Sequence, residues 1–194
     1  MDKVVQIHIR AFKGYFLTLL GGKFLQIYYS HFIHKKRRYA VVATIDGEPV
    51  GFIAGTSETG DFYKELYKKN FFVLFKLLVF AFIREPGVRT KILSKYKHIW
   101  RALKSKLGLG RSSPASSGTV NCRLLSIAVD PAFQGKHVAP VMQKYFLECL
   151  KNDGIEKVGL SVLKENERAI QFYKKTGWKV EREEPNSISF FRDL

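Results

Sequence analysis

The feature that most constrains the fold is the stretch 125–139, where an apolar strand pattern runs directly into a turn and a helix. Asp130-Pro131 is a pair that initiates turns, and an amphipathic helix pattern begins at Val138. Backbone N–H groups at a helix N-terminus, beside small residues that permit a close approach, form an anion site. The segment taken alone is equally compatible with an ordinary strand-to-helix connection.

Periodicity along the rest of the chain predicts a single α/β domain, 1–194. Helices are expected within 3–33, interrupted near 14 and at 21–22, then from 138 and at 166–176, and strands at 39–45, 49–56, 122–129, 157–163, 178–182 and 187–192. Asp46-Gly47 favours a tight hairpin between the first two strands. The basic run 34–38 is interpreted as a solvated turn rather than an anion site.

A basic and aromatic insert over 61–119 divides this domain. The chain has 33 Lys and Arg against 17 Asp and Glu, a net charge of +16, which favours anionic partners. Residues 71–83 are apolar but too few for the roughly 20 that span a bilayer. They fit a helix buried against the core or against the second subunit of a homodimer, an interfacial helix on an anionic membrane, or a nucleic-acid surface, which is the least favoured. A second amphipathic segment, 92–103, and a Gly/Ser/Pro-rich loop, 108–119, follow.

Cysteine usage and the N-terminal sequence bear on location. Cys122 and Cys149 are too few for a disulfide framework, and no Cys/His spacing indicates a metal site. The N-terminus has no charged leader followed by an apolar core. We therefore expect a cytoplasmic protein without a metal, with peripheral membrane association as an alternative.

Two segments carry a family resemblance. The first is Ile-Ala-Val-Asp-Pro-Ala-Phe-Gln-Gly-Lys-His-Val-Ala at 127–139, and the second is Asn-Glu-Arg-Ala-Ile-Gln-Phe-Tyr-Lys-Lys-Thr-Gly-Trp at 166–178. In order and separation they resemble the GNAT superfamily of acetyl-CoA-dependent N-acetyltransferases, over residues 122–178. The resemblance implies a GNAT-like central mixed sheet flanked by helices, with the helical insert between strands three and four.

The resemblance also implies roles for particular residues. Main-chain groups of the strand would bond the pantetheine and the acetyl carbonyl where two strands splay apart, and the following loop would cradle the pyrophosphate. Tyr173 would protonate the departing CoA thiolate, since a phenol of pKa about 10 can share a proton with a thiolate whose acid has a pKa of about 8.5. The implied acetyl-CoA-binding residues are Ile127, Ala128, Val129, Gln134, Gly135, Lys136, His137, Val138, Ala139, Asn166 and Tyr173.

The chain departs from the family pattern at two places. His137 stands where the family has glycine, so its side chain must point away from the phosphates or help to bind them. The former is favoured because a backbone cradle needs no imidazole. The family usually has a strand before its first helix, whereas helical spacing here begins by Lys3, which implies a missing strand or a shortened chain.

The sequence constrains the general base, which takes the proton of the amine, and the acceptor less closely. Candidates for the base are His8 in the first helix, Ser126 on the central strand through a water, and Glu58 after the hairpin; His8 is preferred because its pKa suits neutral pH. A looser resemblance to GNAT proteins encoded among bacterial surface-polysaccharide genes implies an amino-sugar acceptor, nucleotide-linked or lipid-linked. The alternatives are a protein, peptide or small-amine acceptor, and a non-catalytic acyl-CoA-binding module that docks on membranes.

Overall fold

The computed structural model describes residues 1–33, 35–90 and 120–194. The helices are α1 (Asp2–Ala11), α2 (Phe16–Leu19), α3 (Gly22–Ser30), α4 (Thr59–Arg84), α5 (Val138–Asn152) and α6 (Glu167–Lys175). The strands are β1 (Arg38–Ile45), β2 (Glu48–Thr56), β3 (Cys122–Val129), β4 (Lys157–Leu163), β5 (Lys179–Glu183) and β6 (Ser187–Asp193). The expected segment 92–103 and loop 108–119 lie outside the described residues.

The strands form one mixed sheet in the order β1-β2-β3-β4-β6-β5, in which β3 and β4 are parallel and the other neighbours antiparallel. The predicted hairpin of β1 and β2 is confirmed. Its turn residues Asp46 and Gly47 have φ of 51° and 78°, the two left-handed conformations that a type I′ turn requires.

Helices cover both faces of this sheet. Phe52 of β2 belongs to a buried cluster with α1, α3 and α4, whereas the next residue, Ile53, belongs to a cluster with α5 and α6. Successive strand residues point to opposite faces, so the sheet lies between two apolar layers. The α/β architecture expected from the sequence is therefore present.

The basic run before β1 is not simply a solvated turn. The side chain of Arg38 is only 5% exposed, forms an ion pair with Glu65 of α4, and lies over the Phe62 ring. Hydrogen bonds from Lys69 and Arg38 lower the pKa of Glu65 to about 2. The interpretation of 34–38 is therefore wrong for Arg38, because a carboxylate 27 residues away supplies its partner.

Helix α4 opens the insert and has two dissimilar halves. It is interrupted at Asn70, whose φ of −121° and ψ of 17° are not helical. In the first half Phe62 and Leu66 are buried, whereas in the second half only Leu74 and Ala81 are. Among the described residues no strand precedes α1, so the insert follows the second strand of the chain. No helix in the described ranges is long and apolar enough to cross a membrane.

Candidate active site

A cleft opens between β3 and β4 because these parallel strands pair only at their starts, through Cys122 and Arg123 of β3. Farther along, β4 stays paired with β6 and β3 stays paired with β2. Leu125 is an extra residue in the β2–β3 register, which makes a bulge where the strands diverge. Residues 127–129, the predicted pantetheine-binding stretch, follow this bulge and border the cleft.

An ion pair fixes the turn at the end of β3. The Asp130 carboxylate accepts a hydrogen bond from the Ala132 N–H at 3.1 Å and caps the short turn that Pro131 begins. Its other oxygen accepts from the Arg10 guanidinium of α1 at 2.8 Å, and the Asp130 side chain is only 11% exposed. The predicted turn is thus confirmed, and Arg10 joins α1 to it.

The loop from Gln134 to His137 is exposed and leads into α5. Gly135 has φ of 83°, and a Cβ built there would meet no atom within 4 Å. Helix geometry leaves the first-turn N–H groups of α5, including those of Val138 and Ala139, without intrahelical acceptors. Together with the Lys136 ammonium, this open backbone has the character of a phosphate cradle.

His137 keeps the backbone conformation that glycine would provide. It is the N-cap of α5 with φ of 57°, and its side chain makes no capping hydrogen bond. Histidine is among the residues that adopt this left-handed conformation more readily than most. The imidazole is exposed, so histidine in place of glycine leaves the course of the loop intact.

A side-chain hydrogen bond connects the two motif segments across the cleft. The Gln134 carbonyl oxygen accepts from the Arg168 guanidinium at the start of α6. The Gln134 amide also donates to the carbonyl of Val129 at 3.5 Å. Arg168 was not among the predicted site residues, although it lies within the second motif segment.

Asn166 is both a helix cap and a tie across the fold. Its side-chain oxygen accepts from the Ala169 N–H at 3.1 Å, and its amide donates to the Tyr15 hydroxyl, also at 3.1 Å. Tyr15 lies just before α2, 151 residues away along the chain. The N-terminal helices therefore reach the same end of the cleft as α6.

Tyr173 lies on the buried face of α6. It is 4% exposed, and its ring contacts Trp178 and Phe190, with centroids 5.5 and 5.9 Å apart. It shares an apolar cluster with Ile127 and Val129 of the cleft strand. Burial raises the pKa of Tyr173 well above its usual value, so the phenol is protonated at neutral pH.

A buried polar relay lies on the opposite side of β3. His8 Nδ1 is 2.6 Å from the Tyr29 hydroxyl, which donates to the Ser126 hydroxyl at 3.2 Å. All three residues are buried, and burial lowers the pKa of His8 to about 4. In the described part of the chain, His8 Nε2 is the one buried side-chain nitrogen or oxygen without a hydrogen-bond partner.

The structure joins two of the three candidate bases and separates the third. Tyr29, which was not among the predicted site residues, connects His8 to Ser126. A tyrosine at a core position of α3 is the sequence feature that indicates it, because a buried hydroxyl needs a hydrogen-bond partner. Glu58 follows β2 at the opposite end of the sheet from the cleft, and its carboxylate accepts from Arg37 at 2.8 Å.

The buried His8 should make stability depend on pH. Its folded pKa of about 4 lies below the ordinary histidine pKa of 6.5, so the unfolded chain binds the additional proton and stability falls as pH drops from 6.5 to 4. The loss is roughly 3 kcal/mol at 1.36 kcal/mol per pKa unit. We expect His8→Asn to lack this loss in urea unfolding across that range.

The matched control is His137→Asn, the same substitution at an exposed histidine in a left-handed conformation that Asn tolerates. Carboxylates that titrate near pH 4 affect the unaltered chain and both variants alike. The difference between the variants in how the free energy of unfolding depends on pH therefore isolates His8. An unchanged pH dependence in His8→Asn contradicts a buried neutral imidazole.

The described ranges contain no group of three or more His, Cys, Asp or Glu residues that could hold a metal ion.

A model of the acetyltransferase (GNAT) family matches residues 1–178. No protein of curated function matches the sequence significantly.

Several solved structures share the fold. PaiA N-acetyltransferase from Thermoplasma acidophilum, in complex with coenzyme A, has a TM-score of 0.58 at 12% identity over 100% of this chain and 92% of that one. Ard1 from Thermoplasma volcanium has a TM-score of 0.56 at 18% identity, over 100% of this chain and 90% of that one. The ribosomal-protein-S18-alanine N-acetyltransferase from Escherichia coli has a TM-score of 0.54 at 13% identity, over 97% of this chain and 84% of that one. At these identities the similarity shows a common fold.

Proposed function

Since the chain belongs to the acetyltransferase (GNAT) family, it is an acyltransferase, and we propose that it acetylates the primary amine of an amino sugar. Family membership confirms the predicted fold and enzyme class and disfavours a non-catalytic module. The observation that carries the proposed mechanism is the placement of a protonated phenol, Tyr173, and a neutral imidazole, His8, on opposite sides of the strand that borders the cleft.

Acetyl-CoA, which the family uses, supplies the acetyl group as an activated thioester. The open loop at Gly135, the first-turn N–H groups of α5 and the Lys136 ammonium would hold its pyrophosphate. Main-chain groups of 127–129 and the amide of Asn166 would hold the pantetheine arm. Tyr173 would donate its proton to sulfur as the C–S bond breaks, which yields a free thiol and the acetylated amine.

His8 is the proposed acceptor of the amine proton. With Tyr29 donating to Ser126, His8 Nδ1–H donates to the Tyr29 oxygen, and Nε2 carries a lone pair. An imidazole of pKa about 4 is too weak to deprotonate an alkylammonium, so the substrate must arrive as the free amine. Because Nε2 is buried, it would accept the amine proton through water, as the new C–N bond makes that proton acidic.

Aromatic residues and charge support an amino-sugar acceptor. The His8 ring lies 4.8 Å from that of Phe12, which lies 5.4 Å from that of Tyr15, measured between centroids. The half-buried rings of Phe12 and Tyr15 offer apolar faces for a sugar, and the Tyr15 hydroxyl and Asn166 amide offer polar partners. A net charge of +16 attracts acceptors that carry phosphate and disfavours polyamines.

A protein N-terminus is the second candidate. The Escherichia coli enzyme of similar fold is named for an alanine of ribosomal protein S18. Free cysteines at 122 and 149 are consistent with the cytoplasm, which we propose as the location and where either acceptor could be encountered.

The test is CoA release with four amines: a nucleotide-linked amino sugar, the free amino sugar, an alanine-initiated peptide and spermidine. We expect kcat/KM to be at least about tenfold higher for the nucleotide-linked sugar than for spermidine, and the preference to shrink with salt. Higher kcat/KM for the peptide selects the second candidate. Spermidine as the best acceptor contradicts both.

A further inference from the structure

The C-terminal half of α4 leaves its apolar side chains in solvent. In residues 71–83 only Leu74 and Ala81 are buried, whereas Phe72 is 84% and Ile83 is 70% exposed. More than half of the large hydrophobic residues that the described chain exposes lie on α4: Tyr67, Phe71, Phe72, Val73, Phe75, Leu78, Val79, Phe80, Phe82 and Ile83.

The exposed side chains cover most of the circumference of this half of the helix, and the remaining side, with Leu74, Leu77 and Ala81, packs against the core. A helix that is apolar all round is normally covered on all sides, and contiguous exposed apolar patches mark interaction surfaces. The interruption at Asn70 separates this half from the packed first half; the Asn70 amide there donates to the Leu66 carbonyl at 3.1 Å. The surface therefore needs a partner of apolar character.

Cations flank the apolar surface at both ends. Lys64 and Lys68 are exposed before it, Lys76 is exposed within it, and Arg84 and Arg89 follow. The guanidinium of Arg84 lies 5.8 Å from the centre of the Phe80 ring, so its aliphatic stem follows apolar surface while its charge stays accessible. Apolar side chains bordered by Lys and Arg suit an interface with anionic headgroups.

Charge also distinguishes between the candidate partners. A second copy of this chain would bring an identical set of cations, on a molecule of net charge +16, against the first. An anionic bilayer neutralises those cations, at about 1 kcal/mol for each one near the surface, while its acyl boundary accepts the phenylalanines. Nucleic acid would neutralise the charge but leave the apolar side chains in water.

We propose that residues 71–83 of α4 lie in the headgroup region of an anionic lipid bilayer and hold the enzyme at its surface. This inference does not rest on the identity of the acceptor. Phe72 and Phe80 enter the acyl boundary, and the flanking lysines and arginines contact lipid phosphates. Such a mode of binding combines hydrophobic insertion with electrostatic attraction, so both components are separately removable.

The experiment is co-sedimentation of the full chain with phosphatidylcholine–phosphatidylglycerol vesicles and with pure phosphatidylcholine vesicles, at low and high salt. Binding is expected on the anionic vesicles at low salt and weakened by salt. Phe72→Asp and Phe80→Asp should each lower the partition coefficient about tenfold or more. Lys64→Gln with Lys68→Gln should lower it by about thirtyfold.

Matched controls have the same chemistry at other places. Val180→Asp alters an exposed apolar residue of β5, and Lys144→Gln with Lys151→Gln removes two exposed charges from α5. Both should bind vesicles as the unaltered chain does. Unchanged thermal melting of every variant excludes misfolding as the reason for lost binding.

Three results overturn the proposal. One is the absence of binding to anionic vesicles at low salt. Another is a chain that does not bind vesicles but forms a dimer in light scattering, where Phe72→Asp dissociates the dimer. A second copy would then cover the helix. The third is binding to duplex DNA but not to vesicles, lost in the lysine variant and retained in Phe72→Asp.

Discussion

Tyr173→Phe is expected to lower kcat about a hundredfold, at the lower end of what a positioned general acid contributes. The phenol is 4% exposed and burial raises its pKa, so it retains a proton to give to the departing sulfur. The phenylalanine ring still packs against Trp178 and Phe190, so the free energy of unfolding should change by less than about 1 kcal/mol. The KM for acetyl-CoA should change less than about threefold.

Steady-state release of CoA and thermal melting measure these quantities. Tyr145→Phe is the matched control, because Tyr145 is 58% exposed on α5 and has no proposed role. It should leave kcat unchanged. A kcat for Tyr173→Phe within about twofold of the unaltered enzyme would remove Tyr173 from the mechanism.

Gly135→Asp is expected to raise the KM for acetyl-CoA about a hundredfold. A carboxylate about 5 Å from a phosphate oxygen costs roughly 3 kcal/mol at an effective dielectric constant near 20, and each 1.4 kcal/mol is a factor of ten. Space is available for the side chain, so the effect comes from charge. Gly135→Asn, which has nearly the same shape and tolerates the φ of 83° similarly, should raise the KM by less than about tenfold.

Calorimetric titration with CoA separates binding from turnover in both variants. Gly154→Asp is the control, because Gly154 is exposed after α5 with φ of 73° and receives the same strain and charge away from the cradle. Its affinity for CoA should be unchanged. Equal losses in Gly135→Asp and Gly135→Asn would show that the loop does not face phosphate.

Local patterns predicted most of the secondary structure because they act over a few residues. Asp46-Gly47 specifies its turn through two left-handed residues, and Gly177, with φ of 82°, follows α6 where glycine commonly ends a helix. Asn166 caps α6, as its place before Glu167 indicates. The strand-to-helix course of the anion loop follows from Asp130-Pro131. These features need no knowledge of distant parts of the chain.

Contacts between distant residues were not predictable from the sequence. Tyr29 meets Ser126 across 97 positions and Asn166 meets Tyr15 across 151. Such pairs depend on how helices settle on the sheet, which periodicity does not specify. The same limit applies to Arg38, whose partner Glu65 lies 27 residues away, and to His8 and Ser126, which are separate candidates in the sequence but belong to one relay.

The insert turns the pairing of neighbouring strands into a long-range event, because 65 residues, 57–121, separate β2 from β3. Even a fully flexible connection of that length would cost only roughly 1.7 kcal/mol more to close than one of about ten residues, so equilibrium stability tolerates it. Folding rate is more sensitive, since non-local strand pairing is slow. The His8 relay joins α1 and α3 to β3, so it is completed only when the parts of the chain on either side of the insert have come together.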